Sequence, residues 1–392
     1  MRLMGLLGLM GLMWLTDSCS SDEEPAMGQT DALDVSVAEV RSFATYFDEH
    51  VAKTRDWTPP TGYVTYEDGA QSIGIAFTQD FTQDDEEAIR GTFFKSGDKW
   101  NFRVTELSKS EENITAGTYY LYGYIPITSG VNFEITDLNG INGKGASFST
   151  GAKVKLTNVP TVMGKDLCVV IGAKEGTDAD HDSGLSRGDF EYYAKAITKE
   201  SVDRNYVFLL FDHLYAALSV NMKVSEEYAD LRTIKLKELK LSTQASGATS
   251  KAYTTIIVDL LANNTGNDPI TAITYTPTGS TIGADGISFW SSSAGVELET
   301  IYQDKPFTGH FMPSGINTLV LTSKYDVYDK EGHKTRENCS ATNTMPISEL
   351  WSGLTATSRG NRYTVKMTIQ PTYLYVLSEP DLDNPTVTVT TN

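Results

Sequence analysis

Between Leu218 and Val224 the chain alternates without a fault. Leu218, Val220, Met222 and Val224 are apolar, and Ser219, Asn221 and Lys223 separate them. A helix would scatter these residues around its circumference, whereas a strand puts the apolar set on one face. The pattern recurs. Trp100, Phe102 and Val104 alternate, as do Ile234 and Leu236, then Leu319, Leu321, Tyr325 and Val327, then Tyr363, Val365, Met367 and Ile369. Ile73 to Phe77, the aromatic run Tyr119 to Ile125 closed by Pro126, Leu167 to Ile171 and Val207 to Phe211 read as further strands, the last two deeply buried. Val154, Leu156 and Val159 belong to another, and Asp329-Lys330-Glu331-Gly332 supplies a hairpin turn. A short helix is expected from Phe190 to Lys195. The chain has 20 Tyr and 15 Phe, and its Tyr, Thr and Val content favours sheet over helix.

With 392 residues there is room for two ordinary domains. Many short strands and few helical windows predict an all-β protein of two tandem β-sandwich domains. The seam is placed at Thr198-Lys199-Glu200-Ser201, giving domains over 56–200 and 201–392. Before them, residues 19–55 form an acidic tether and leader. There Leu33, Val35 and Val37 alternate like a strand, while Val40, Phe43, Phe47 and Val51 recur at helical spacing. Thr58-Pro59-Pro60-Thr61-Gly62 ends the leader.

Residues 1–18 read as an address. After Arg2, the run Leu3 to Leu15 is nearly all Leu, Met and Gly. It is shorter than the about 20 residues of a membrane span and suits a signal-peptide core. The junction Ser18-Cys19 follows, so Cys19 is the predicted lipidated residue, anchoring the chain in outer-membrane lipid. A plain secreted protein is the alternative. Lys+Arg number 32 and Asp+Glu 51, a net charge of -19 that disfavours nucleic acid as a partner.

The chemistry-bearing residues are sparse. Five His and three Cys are too few for a zinc framework or a disulfide-dense scaffold. No nucleophile elbow, phosphate loop, HExxH or CxxC is present, so no enzyme, cofactor or metal is expected. His213 beside Asp212 is read as a structural histidine bonded to backbone. Asp178, Asp180, Asp182 and Asp189 imitate a Ca²⁺ loop, but the glycine is one place late and a solvated acidic loop is the plainer reading. Cys168, in an apolar run, reads as a buried thiol, and a pairing with Cys339 stays open. Trp57, Trp290 and Trp351 would suit sugar stacking if exposed, although sandwich aromatics usually belong to the core.

Several segments, in their shared order, carry a resemblance. They are Thr54-Arg55-Asp56-Trp57, Pro59 to Tyr63, Ser72 to Ile75, Tyr120 to Pro126, Phe211 to Leu218, Tyr325 to Gly332 and Pro371 to Leu377. Behind a lipobox, the chain resembles the fimbrillin family (Mfa-like), lipoprotein subunits of pili in Gram-negative anaerobes. The resemblance implies transthyretin-like sandwiches, a surface-exposed outer-membrane location in a fimbrium and a role in adhesion. It also implies cleavage by a trypsin-like protease between Arg55 and Asp56, with Arg41 as the rival site. A strand from another pilus subunit would then fill the groove that the leader vacates. The expected donor lies in Tyr363 to Thr391. Tyr373, Tyr375 and Leu377 form one stripe, Pro380 to Pro385 a hinge, and Val387 with Val389 a second stripe. Completion of the chain's own sandwich by these strands is the alternative. A host surface ligand is a further expected partner. A surface glycan-binding lipoprotein is the alternative function.

Overall fold

The structure, a computed structural model, describes residues 35–42, 72–78, 89–96, 99–104, 117–137, 153–176, 190–194, 205–245, 250–260, 272–283, 286–303, 305–351, 353–374 and 379–390. In chain order the strands are β1 (Val35–Ser42), β2 (Ser72–Thr78), β3 (Ile89–Ser96), β4 (Lys99–Val104), β5 (Gly117–Ile125), β6 (Asn132–Asp137), β7 (Lys153–Pro160), β8 (Val162–Met163), β9 (Cys168–Gly176), β10 (Glu191–Ala194) and β11 (Asn205–His213). Then follow β12 (Ala216–Val224), β13 (Thr233–Ala245), β14 (Lys251–Asp259), β15 (Ile273–Thr281), β16 (Ile287–Glu297), β17 (Phe307–Phe311), β18 (Ile316–Tyr328), β19 (Lys334–Pro346), β20 (Arg362–Leu374) and β21 (Glu379–Thr390). The described helices are single turns, α1 (Glu226–Ala229) and α2 (Ile347–Leu350). The protein is all-β, as the alternation predicts.

An eight-stranded sheet runs β1-β11-β9-β5-β2-β3-β4, with β10 also on β5. Its centre is buried: Tyr119, Leu121, Tyr122, Val169, Val170, Ile171, Leu209 and Phe211 are all enclosed. β9 meets β5 only at Tyr124 and Ile125, and β10 takes the other end of that edge, from Gly117 to Tyr120. This corrects the helix expected at Phe190 to Lys195. Glu191 to Ala194 supply a strand to backbone groups that β9 leaves unpaired, and Phe190 stacks on Tyr122 at 5.2 Å.

Three smaller sheets complete the molecule, ordered β21-β20-β12-β17-β8, β16-β13-β18-β19 and β15-β14-β7-β6. Their pairing crosses the seam expected at 200/201. β11 lies beyond the seam yet belongs to the first sheet, while β7 and β8 lie before it and pair with β14 and β17. A continuous buried cluster joins residues from both halves of the chain. Strand β12, whose alternation from Leu218 to Val224 marks one apolar and one polar face, is more deeply buried than that pattern predicts. Ala216 to Val220 are enclosed on both faces, Ser219 included, and β12 is interior to its sheet, between β20 and β17.

The chain passes from the first sheet to the second through Leu214 and Tyr215, both fully buried. Two phenols bolt this corner. Tyr215 donates to the Pro160 carbonyl at 2.6 Å, and Tyr275 donates to the Leu214 carbonyl at 2.5 Å. Burial pushes both phenols above their ordinary pKa, so they remain donors.

Candidate functional site

Two features bear on function: strands at sheet boundaries near the chain ends, and a buried polar island.

Strand β1 precedes Arg55 and pairs in parallel with β11, from Val35 opposite Asn205 to Ser42 opposite Phe211, with a bulge between Val37 and Glu39. The other pairings of that sheet are antiparallel. β1 also lies close to β4, the opposite end of the same sheet. The leader strand is thus one end of the strand order and lies near the other end. Of the residues at helical spacing, Val40 lies in β1, which runs as a strand through Ser42, and Phe43, Phe47 and Val51 lie outside the described residues. Arg41 lies within this ladder, opposite Leu210. Cys19, Arg55, Asp56 and Trp57 lie outside the described residues, as does the loop 177–189 with its four aspartates.

At the other terminus, β20 is interior, parallel to β12 and antiparallel to β21. β21 is the edge, with Val387 opposite Ile369 and Val389 opposite Met367. Pro380 to Pro385, expected as a hinge, falls inside β21, where the register shifts between Gln370 and Thr372 of β20. In this state the two C-terminal strands complete the chain's own sheet.

The polar island lies where β9 begins and β11 ends. The register puts His213 opposite Cys168, and Asp166 stands two residues before Cys168, on the same side of an extended chain. His213 Nδ1 is 2.5 Å from Asp166 Oδ2 and 3.3 Å from Cys168 Sγ. His213 is therefore held by side chains, where the sequence suggested backbone. Cys168 and His213 are buried, and the Asp166 side chain is 12% exposed. Burial pushes the Asp166 carboxyl up, but the His213 ring beside it outweighs this and holds it below its usual value. Its second oxygen, Oδ1, is buried and accepts no hydrogen bond from a described residue. His310 adjoins the group; burial lowers its pKa, partly offset by Asp166. Arg359 closes the island, donating to Asp212 Oδ1 at 2.8 Å and to the His213 carbonyl at 2.6 Å.

This is not a relay of the nucleophile–base–orienter kind. Such a relay uses the two ring nitrogens for two partners, whereas here both partners converge on Nδ1. The nearness of Cys168 escaped the sequence reading, because only strand register brings residues 45 apart into contact. Cys168 and Cys339 are both thiols. Trp290 and Trp351 are half-buried against the core: Trp290 lies 4.5 Å from the Phe307 ring and Trp351 lies 5.0 Å from that of Tyr363. Neither presents an open platform to a sugar.

No family model matches the chain. No curated protein matches it either. Among solved structures it is similar to a candidate cell-adhesion protein from Bacteroides fragilis, at 11% identity and TM-score 0.41, covering 92% of this chain and 97% of that one. It is also similar to a fimbrial protein from Bacteroides vulgatus, at 14% identity and TM-score 0.30, covering 82% and 92%. A third is the fimbrial anchor protein Mfa2 from Porphyromonas gingivalis, at 10% identity and TM-score 0.26, covering 92% and 96%.

Proposed function

We propose that the chain is a structural subunit of a surface fimbria, without enzymatic chemistry, that serves adhesion. It is exported as a lipoprotein through Cys19, cut between Arg55 and Asp56, and assembled by strand addition. The observation that carries this reading is β1. It precedes Arg55, pairs with β11 and lies close to β4. Cleavage after Arg55 cuts its covalent tie to the sheet and leaves only the ladder to hold it. Its departure opens a slot bounded by two strands, with unpaired backbone groups that a new strand satisfies. Arg55 is favoured over Arg41 because Arg41 is engaged in the β1–β11 ladder. A protease needs the backbone on both sides of its target free to enter its own cleft, and a cut at Arg41 would divide the strand.

The donor is assigned to β21, an edge strand near the C-terminus whose withdrawal leaves β20 still paired to β12. The test is the N-terminus of subunits taken from assembled fibres. Asp56 is expected, and an intact leader on assembled subunits would refute the processing step. For the anchor, Cys19→Ala is expected to remove lipid labelling and outer-membrane fractionation. Unchanged labelling would rule out Cys19.

A further inference from the structure

We propose that Asp166, Cys168 and His213 form a binding site for one divalent ion of the Zn²⁺ type. The argument begins with convergence. A carboxylate oxygen, a thiol sulfur and an imidazole nitrogen lie within 4.8 Å of one another, all near one point. Cys168 and His213 both hydrogen-bond to the Asp166 carboxylate, and that leaves its second oxygen, Oδ1, without a donor among the described residues. An ion at the shared point satisfies all three donors together.

The distances fit. Zn²⁺ takes sulfur at about 2.3 Å and nitrogen or oxygen at about 2.0–2.2 Å in a tetrahedral shell. Those bond lengths put sulfur and nitrogen about 3.5 Å apart, against 3.3 Å here. The Asp166–His213 pair, at 2.5 Å, opens by less than about 1 Å. The Asp166 side chain is the more exposed of that pair. The donor set of thiolate, imidazole and carboxylate suits Zn²⁺ rather than Ca²⁺ or Mg²⁺, which take oxygen.

Two further observations point to a ligand. Asp166 Oδ1 is buried with no hydrogen-bond donor, a costly arrangement for a carboxylate unless a cation offsets it. His310, more than nine-tenths buried, stands beside the group without belonging to the three donors, and its Nδ1 also lacks a partner among the described residues. The frame is stiff. Leu214 N–H donates to the Leu167 carbonyl at 2.7 Å, and Arg359 holds the His213 carbonyl from the other side. Three protein donors leave the fourth position to water. Binding releases the Cys168 thiol proton to solvent, so affinity rises with pH. Asp329 and the exposed Glu331 and His333 in the β18–β19 turn also lie close together, but nothing beyond their proximity points to an ion.

The probe is Co²⁺, followed by Zn²⁺, added under reducing conditions to the full chain carrying Cys19→Ser. One equivalent of Co²⁺ is expected to produce a thiolate-to-cobalt charge-transfer band that Zn²⁺ bleaches. Cys339→Ser keeps the band and Cys168→Ser loses it. Asp166→Asn, the variant least disturbing to the core, weakens Co²⁺ binding about tenfold or more with the circular dichroism unchanged. No band in the parent chain, or the same band in a folded Cys168→Ser variant, overturns the proposal. Parent-like affinity in Asp166→Asn overturns it too, and that comparison decides the matter if Cys168→Ser does not fold.

Discussion

Gly309 in β17 sits under the ring of Phe289. A methyl group placed on it would lie 2.5 Å from Phe289 Cδ2, so the missing side chain is what lets β16 lie against β17. Gly309→Val is expected to cost about 1–3 kcal/mol by overpacking, read as a fall in the thermal midpoint. A midpoint equal to the parent's would mean that the ring moves freely aside. Asp326 is a second such residue. It is buried, accepts from Asn338 N–H at 2.9 Å and pairs with Lys334 at 3.0 Å. Burial raises its carboxyl, but these partners prevail and hold it below its ordinary value. The sign follows. Its contribution is complete above the unfolded carboxyl pKa near 3.8, and is lost as pH falls through the lower folded value. Asp326→Asn should cost about 1–3 kcal/mol at neutral pH and flatten the acid limb of the stability curve. Denaturant melts from neutral pH downwards check this, and an acid limb unchanged by the substitution would contradict it. At this scale the sequence shows composition well and company poorly. Cys168 reads as buried from its apolar neighbours, and it is. That its sulfur meets His213 depends on the β9–β11 register, which no local pattern encodes.

Among elements, the alternating segments were the legible ones. β12, β13, β18 and β20 lie where the period of two places them. Four-residue β10 was missed because so short a window holds no decisive periodicity; it is a strand because β5 has an edge to fill. The leader was half legible. The alternation from Leu33 to Val37 marks a strand, but its parallel partner 170 positions away, Val37 against Val207, is set by tertiary structure. From this placement Arg55→Ala should block maturation and leave the fold intact, while Arg41→Ala should mature normally. Immunoblots of leader length distinguish the two, and the reverse pattern would move the site to Arg41. Truncation after Asn384 removes the part of β21 that pairs with Gln370 to Lys366. The truncated chain is expected to fold, export and mature, yet stay monomeric on size-exclusion chromatography. Polymers of normal length would take the donor role away from β21.

For the whole molecule, the expected seam near residue 200 marks a break in sequence but not in pairing. β6, β7 and β8 leave the first half of the chain and pair among themselves or with strands of the second half, so the halves share sheets. Local composition cannot reveal this, because a strand reads alike whichever half it joins. The account places one removable strand, β1, at the junction of β11 and β4, and one terminal edge strand, β21, at the far end of the chain. Its central claim is that losing the first makes room for the second. The direct measurement is to cut the purified chain with a trypsin-like protease and follow its size on gels without boiling. The account predicts ladders of subunits that begin at Asp56, with the leader released, and monomer only from Arg55→Ala under the same treatment. Ladders from uncut chain, or cut chain that releases its leader and stays monomeric, would contradict it.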